Sequence, residues 1–190
     1  MGKGRLEAFS DGVIAVIITI MVLELKPPHG PEPTELLPLL PTFLTYVLSF
    51  IYVGIYWANH HHFFHIIHKV SGGMLWANLH LLFWLSLVPF TTAWMGENHF
   101  TTWPVALYGV NLLASAVAYT ILTVVSVRLH GPESEIARAV GRDKKGKISL
   151  VFYIIAIPMA FFSPMVSCAC FAIVAAIWLV PDKRIERVLG

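Results

Sequence analysis

The chain has 190 residues, of which 57% are hydrophobic and 13% are charged, and its formal net charge is +2. Soluble domains carry about 25% charged residues, so a chain with half that share cannot cover its surface with water-compatible groups. The mean hydropathy of +0.72 agrees, and the small net charge gives no basis for a nucleic-acid partner. The composition excludes a soluble domain, a disordered segment and a nucleic-acid reader, and it indicates an integral membrane protein.

Apolar stretches separated by polar or proline-rich segments predict an all-α protein with six membrane-spanning helices in one domain, 1–190. Each stretch has roughly the length of about 17–25 residues that a membrane crossing needs. The stretch 148–180 has no charged residue and would form a helix of about 50 Å, so Pro164 predicts a break within it. The predicted helices are about 6–25, 40–62, 74–94, 103–127, 147–163 and 164–181.

The charged residues predict the orientation of these helices. With both termini and alternate loops in the cytoplasm, nearly all basic residues fall on that side, as the positive-inside rule requires. Lys26 is the basic residue left outside, together with Glu24, Glu32, Glu35 and Glu97. The basic residues placed inside are Lys3, Arg5, Lys69, Arg128, Arg138, Arg142, Lys144, Lys145, Lys147, Lys183, Arg184 and Arg187.

The segment 5–12 places ionisable groups at the start of the first span, where such groups are functional hypotheses by default. One interpretation makes Ser10 or Asp11 the N-cap of the helix. The favoured interpretation puts Asp11 about two turns inside the helix, because residues 5–9 already have a helical pattern. A carboxylate at that depth needs donors from other helices. The candidate donors are Arg5, His60 and Asn78.

A histidine cluster follows the second span. His61, His65 and His68 would share one helical face, and such tracts can bind zinc or iron. The favoured alternative is an interfacial belt of hydrogen-bonding groups, because no Asp, Glu or Cys stands nearby in the sequence to complete a metal site. In the third span, Asn78 is expected to bridge helices as a buried amide. No metal site is predicted.

Motifs typical of other membrane proteins are missing from the sequence. The segment 52–56, Tyr-Val-Gly-Ile-Tyr, differs from the carbonyl selectivity filter Thr-Val-Gly-Tyr-Gly, and there is no voltage sensor, P-loop or His-Glu-x-x-His motif. The spans do not divide into two inverted repeats, which are typical of secondary transporters. No nucleophile and base stand at catalytic spacing, so no enzymatic activity is expected.

Three motifs resemble those of the transmembrane protein 175 family, whose members are potassium channels of lysosomes with smaller bacterial relatives. The first motif lies in span one and consists of Arg5-x-x-x-Phe9-Ser10-Asp11-Gly12 followed by Val16 and Thr19. The other two lie in spans two and three and consist of Trp57-Ala58-Asn59-His60-His61, and of Asn78 with Pro89-Phe90-Thr91. Spans four to six agree with the family in number and topology.

The resemblance implies four identical chains around a central pore that is lined by the first helix and has no carbonyl filter. Val16, Ile20 and Leu23 match the hydrophobic constriction, and Thr19 matches a ring of pore-facing hydroxyls. The implied permeant ion is K⁺, with no cofactor, and the implied partners are membrane lipid, monovalent cations and further copies of the chain in a bacterial cell membrane. The residues expected to join helices or support assembly are Arg5, Phe9, Ser10, Asp11, Trp57, Asn59, His60, His61 and Asn78.

Helical geometry agrees with this assignment. At about 100° per residue, the four pore positions share a stripe roughly 100° wide, whereas Asp11 lies about 140° from Val16. Asp11 is therefore expected to face neighbouring helices, although the stripe also fits ordinary helix packing. The predicted function is a passive, potassium-preferring cation channel with a hydrophobic gate. The alternative is a secondary transporter that uses the histidines to move protons or metal ions.

Overall fold

The computed structural model describes residues 2–141 and 143–180. In those ranges the regular structure is entirely helical, as predicted. A 3₁₀ helix, Pro33–Leu39, lies in the segment expected to be a loop before the second helix. The α helices are α1 Lys3–Leu23, α2 Leu40–His65, α3 Gly72–Ser86, α4 Val88–Glu97, α5 Thr102–His130, α6 Glu135–Val140, α7 Lys144–Met159 and α8 Pro164–Leu179.

Four helical stretches are long and apolar enough to cross a membrane: Lys3–Leu23, Pro33–His65, Gly72–Glu97 and Thr102–His130. Helices α7 and α8 are shorter, with 16 residues each. Helix α8 begins at Pro164, the residue at which the sequence predicts the break. The basic residues Arg142, Lys183, Arg184 and Arg187, which entered the orientation argument, lie outside the described residues.

The third span is two helices and not the single helix predicted over 74–94. Helix α3 ends at Ser86 and α4 begins at Val88. Pro89 lies in the first turn of α4, and its ring nitrogen has no hydrogen to donate to a carbonyl in the preceding turn. The far end of α4 crosses α2 closely, since a Cβ added to Gly96 would lie 2.6 Å from Thr42 Cα.

Two apolar clusters form the core, and the long helix α5 contributes to both. Near its C-terminal end, Leu122 packs in a cluster with side chains of α1, α2 and α3. Near its N-terminal end, Tyr108 packs in a cluster with side chains of α7 and α8. Helix α1 lies against α2, α3 and α4, so it stands at one edge of the bundle, and one of its faces is not covered by the described residues.

Candidate functional site

One face of helix α1 is buried and the opposite face is open. The buried face consists of Leu6, Ser10, Ile14, Ile17 and Met21. The four residues of the predicted pore stripe lie on the open face. The exposed fractions of Val16, Ile20 and Leu23 are 54%, 41% and 77%, and Thr19 is also exposed. Aliphatic side chains this exposed are suited to lipid, to another protein chain or to a narrow pore.

The Thr19 hydroxyl has its proton directed back into the helix. Its Oγ1 donates to the Val16 carbonyl oxygen at 2.9 Å. A hydroxyl has one proton and two acceptor lone pairs, so the exposed oxygen keeps its lone pairs for a group outside the helix. A cation can be coordinated by such lone pairs, whereas an anion cannot, because it needs the proton that Thr19 already donates within the helix.

An apolar groove runs between α1 and α4 beside this stripe. Val16 and Ile20 form part of one wall, and Pro89 and Phe90 form part of the other. Glu24 lies at one end of the groove and Phe9 near the other. The open face of α1 therefore continues across the groove onto helix α4. The sequence analysis did not include α4 in the site.

A buried chain of hydrogen bonds joins α1, α2 and α3. His60 Nε2 lies 2.8 Å from Asn78 Oδ1, Asn78 Nδ2 donates to Ser10 Oγ at 2.9 Å, and Ser10 Oγ donates to the Leu6 carbonyl oxygen at 2.9 Å. An amide oxygen only accepts, so His60 donates from Nε2 in this arrangement. All donations then run in one direction and end on a helix carbonyl.

Three of these residues are enclosed almost completely: Ser10, His60 and Asn78 are at most 1% exposed. The His60 ring stacks on Phe64 with centroids 4.4 Å apart, and its Nδ1 has no hydrogen-bond partner among the described residues. This cluster fixes how the first three helices are rotated relative to one another, because each donor meets only one acceptor.

The partner of Asp11 differs from the expected donors. Trp57 Nε1 donates to Asp11 Oδ1 at 3.1 Å, whereas His60 and Asn78 bond to each other and to Ser10. Arg5 is exposed. Since α1 already begins at Lys3 with Gly2 as its N-cap, the interpretation of Ser10 or Asp11 as the cap is wrong. Asp11 binds a neighbouring helix from inside α1.

The remaining predicted residues lie apart from this cluster. Phe9 is on the open face of α1. Asn59 Nδ2 donates to the Ile55 carbonyl oxygen of its own helix at 2.8 Å, and the Asn59 backbone oxygen accepts from Tyr119 Oη at 3.2 Å. Asn59 therefore joins α2 to α5 and makes none of the contacts to α1.

The histidines do not form the single face that was expected. Helix α2 ends at His65, so His68 is not on a helix with His61. Contrary to the sequence argument, carboxylates do lie nearby: Glu7 Oε1 is 3.6 Å from His61 Nδ1, and Glu135 Oε2 is 3.7 Å from His68 Nε2. In the part of the chain that the structure describes, no three His, Cys, Asp or Glu residues are grouped so as to hold a metal ion.

Sequence reasoning also missed Asn111, a buried amide on α5 that meets the break between α3 and α4. Two signals in the sequence point to it: an asparagine within an apolar span, and a proline in the neighbouring span. The sequence does not show that this asparagine and this proline-containing span meet.

Comparison with known proteins gives matches to bacterial proteins named potassium channels and to vertebrate proteins named proton channels. A family model described as the endosomal/lysosomal potassium channel TMEM175 matches residues 5–89. A protein of Chryseobacterium sp. (strain P1-3), named a potassium channel, is 57% identical over 189 residues, which are 100% of this chain and 98% of that protein. A potassium channel of Streptomyces collinus is 35% identical over 128 residues, 63% of this chain and 62% of that protein.

A solved structure matches over nearly the whole chain. It is the crystal structure of a lysosomal potassium-selective channel TMEM175 homolog from Chamaesiphon minutus, and the TM-score is 0.81 at 28% sequence identity. The match covers 94% of this chain and 96% of that one.

Proposed function

The chain belongs to the TMEM175 family of channels, and from that premise we propose that it is a passive, potassium-preferring cation channel whose pore is lined by helix α1. The observation that carries the proposal is the open face of α1. In a chain whose full-length relative is named a potassium channel, this face presents three aliphatic side chains and one hydroxyl, while the opposite face is buried.

One chain offers only one wall, so the pore requires several copies around an axis. We propose a homotetramer, in which Val16, Ile20 and Leu23 form three apolar rings, each repeated by the symmetry. With a rise of 1.5 Å per residue, the rings stand about 6 Å and about 4.5 Å apart along the axis. The groove between α1 and α4 lies beside these rings and continues the surface available for contact with the next copy.

The mechanism combines a narrow apolar path with one polar ring. The backbone carbonyls of Lys3–Leu23 belong to a continuous helix, so α1 offers no free carbonyl ladder to replace water around an ion. K⁺ would instead lose part of its hydration at the apolar rings and meet the Thr19 oxygens through their unused lone pairs. Narrowing or dewetting of the same rings would close the path.

The proposal places six crossings in one domain, both termini in the cytoplasm, and the protein in a bacterial cell membrane among lipids. The family consists of channels, so we propose no enzymatic step and no resident cofactor, with K⁺ as the permeant ion. The basic residues support this topology, because all of them except Lys26 fall in the segments placed inside.

A labelling experiment tests the topology. Glu32→Cys and Glu135→Cys, each in a chain whose two native cysteines are replaced by serine, should react with a membrane-impermeant maleimide from opposite sides. Both positions are exposed, so access depends only on the side of the membrane. Labelling of both variants from the same side would contradict six crossings.

Purified protein in a planar bilayer under a potassium/sodium gradient tests the function. The expected result is discrete unitary currents of high conductance with a reversal potential displaced toward that of K⁺. The alternative, a histidine-using transporter of protons or metal ions, predicts saturable flux that depends on a pH or metal gradient. Saturable flux without unitary currents would replace the channel by the transporter.

A further inference from the structure

Asn111 occupies the break between α3 and α4 in a specific way. In an unbroken helix the Val88 N–H would donate to the Trp84 carbonyl oxygen, four residues earlier. With the amide assigned in the orientation that satisfies both of its ends, Asn111 Nδ2 donates to that carbonyl oxygen at 2.9 Å, and its Oδ1 lies 3.3 Å from Val88 N and 3.2 Å from Thr91 Oγ1. The amide therefore bonds both groups that a continuous helix would join, and the Trp84 carbonyl oxygen also accepts from the Leu87 N–H at 3.2 Å.

The orientation of the amide follows from its neighbours. With its two ends exchanged, the oxygen would face only acceptors and the nitrogen only donors. Asn111 is 3% exposed, so no solvent compensates a mismatched end, and unsatisfied backbone groups are costly in apolar surroundings. A side chain inserted into the helix ladder is an established cause of a sharp kink.

The break lies next to the groove between α1 and α4. Immediately after the break, Pro89 and Phe90 of α4 line the groove whose other wall includes Val16 and Ile20. If α3 and α4 joined into one continuous helix, the first turn of α4 would change its direction. The contacts of α4 beside Val16 and Ile20 would then change as well.

We propose that Asn111 is a positioning residue for the ion pathway: by holding the third span open at Leu87, it sets the direction of α4 and thereby the placement of α1 at Val16 and Ile20. The inference rests on the proposed function, since it needs a pore on α1. The hydrogen-bond partners of Asn111 lie on α3 and α4, so its effect on α1 would be indirect.

The test compares Asn111→Leu with Tyr52→Phe. Both changes remove buried hydrogen bonding between helices. Tyr52 Oη donates to the Phe171 carbonyl oxygen at 2.6 Å, and among the described residues it makes no hydrogen bond to the break between α3 and α4. Each variant is purified, its oligomeric state is measured by size exclusion with light scattering, and its unitary conductance and potassium/sodium reversal potential are measured in planar bilayers.

Asn111→Leu should assemble and change the unitary conductance by about twofold or more, with a shifted reversal potential, whereas Tyr52→Phe should keep both values. Wild-type conductance in an assembled Asn111→Leu protein overturns this inference and leaves the channel proposal intact. If Asn111→Leu does not assemble, Asn111→Ser is measured in the same way, and its failure to assemble assigns Asn111 to folding alone and overturns the inference. Absence of current in the unmodified chain overturns both proposals.

Discussion

The buried face of helix α1 carries Ser10 bonded to Asn78 at 2.9 Å, whereas its open face carries Val16, Ile20 and Leu23, and the Thr19 hydroxyl. Four of the five residues on the buried face are apolar, as in a soluble helix, but the open face is largely apolar as well. In a membrane protein a polar group is best satisfied between helices, and an open apolar face costs nothing in lipid. The comparison teaches that the buried polar group on α1, Ser10, marks the packing of helices, whereas the exposed apolar face marks the candidate pore.

The largest effect is expected from replacing Asn78, the central residue of the buried hydrogen-bond chain. Asn78→Leu leaves the His60 Nε2–H without an acceptor and removes the donor to Ser10, which costs about 1–3 kcal/mol. Thermal unfolding in detergent and the fraction of assembled protein should both fall. The control is Asn98→Leu, whose exposed side chain donates only to the Trp94 carbonyl oxygen of its own helix. Equal losses of thermal stability and of assembled protein in the two variants would contradict the special role of the buried hydrogen-bond chain.

A smaller effect on the same face is expected from Asp11→Ala. The Trp57 indole loses an acceptor in a partly exposed bond, so the cost is about 0.5–1.5 kcal/mol. Assembly measured by size exclusion should decrease before the potassium/sodium preference changes. Trp57→Phe removes the same bond, so the double variant should lose no more than either single one. Normal assembly with altered selectivity alone would move Asp11 into the pore.

The open face is tested by Ile20→Asn against Val22→Asn. The two residues are 41% and 45% exposed and point about 160° apart around the helix, so they differ in direction and little in exposure. Ile20→Asn should wet one apolar ring, raise unitary conductance several-fold and weaken discrimination between K⁺ and Na⁺. Val22→Asn should keep both values. The opposite pattern would mean that α1 is rotated relative to the proposed pore.

The smallest effect is expected from Thr19→Val, which keeps the shape of the side chain and removes one hydroxyl per chain. The reversal potential should move toward the value for a non-selective cation pore, with little change in conductance. Assembly should not change, because Thr19 Oγ1 donates only within its own helix. An unchanged reversal potential would remove Thr19 from the ion pathway.

The sequence by itself determined the class of the protein and the presence of its helices. Hydropathy and the positions of charges are local properties, and a span of apolar residues can satisfy its backbone groups only as a helix. Helix α8 begins at Pro164 for an equally local reason, because a proline is tolerated in the first turn of a helix and not in its interior. The first-span motif indicated the family, and the spacing of Val16, Thr19, Ile20 and Leu23 placed them on one stripe.

Only the tertiary structure decided which side chains meet. Trp57 and not His60 bonds to Asp11, because the partner depends on how α2 is rotated against α1. Asn111 reaches the break before Pro89 because α5 packs along α3. The sequence does not show which of these residues pair. The orientation of one helix against another arises from the packing of whole helix faces, and no single segment determines it.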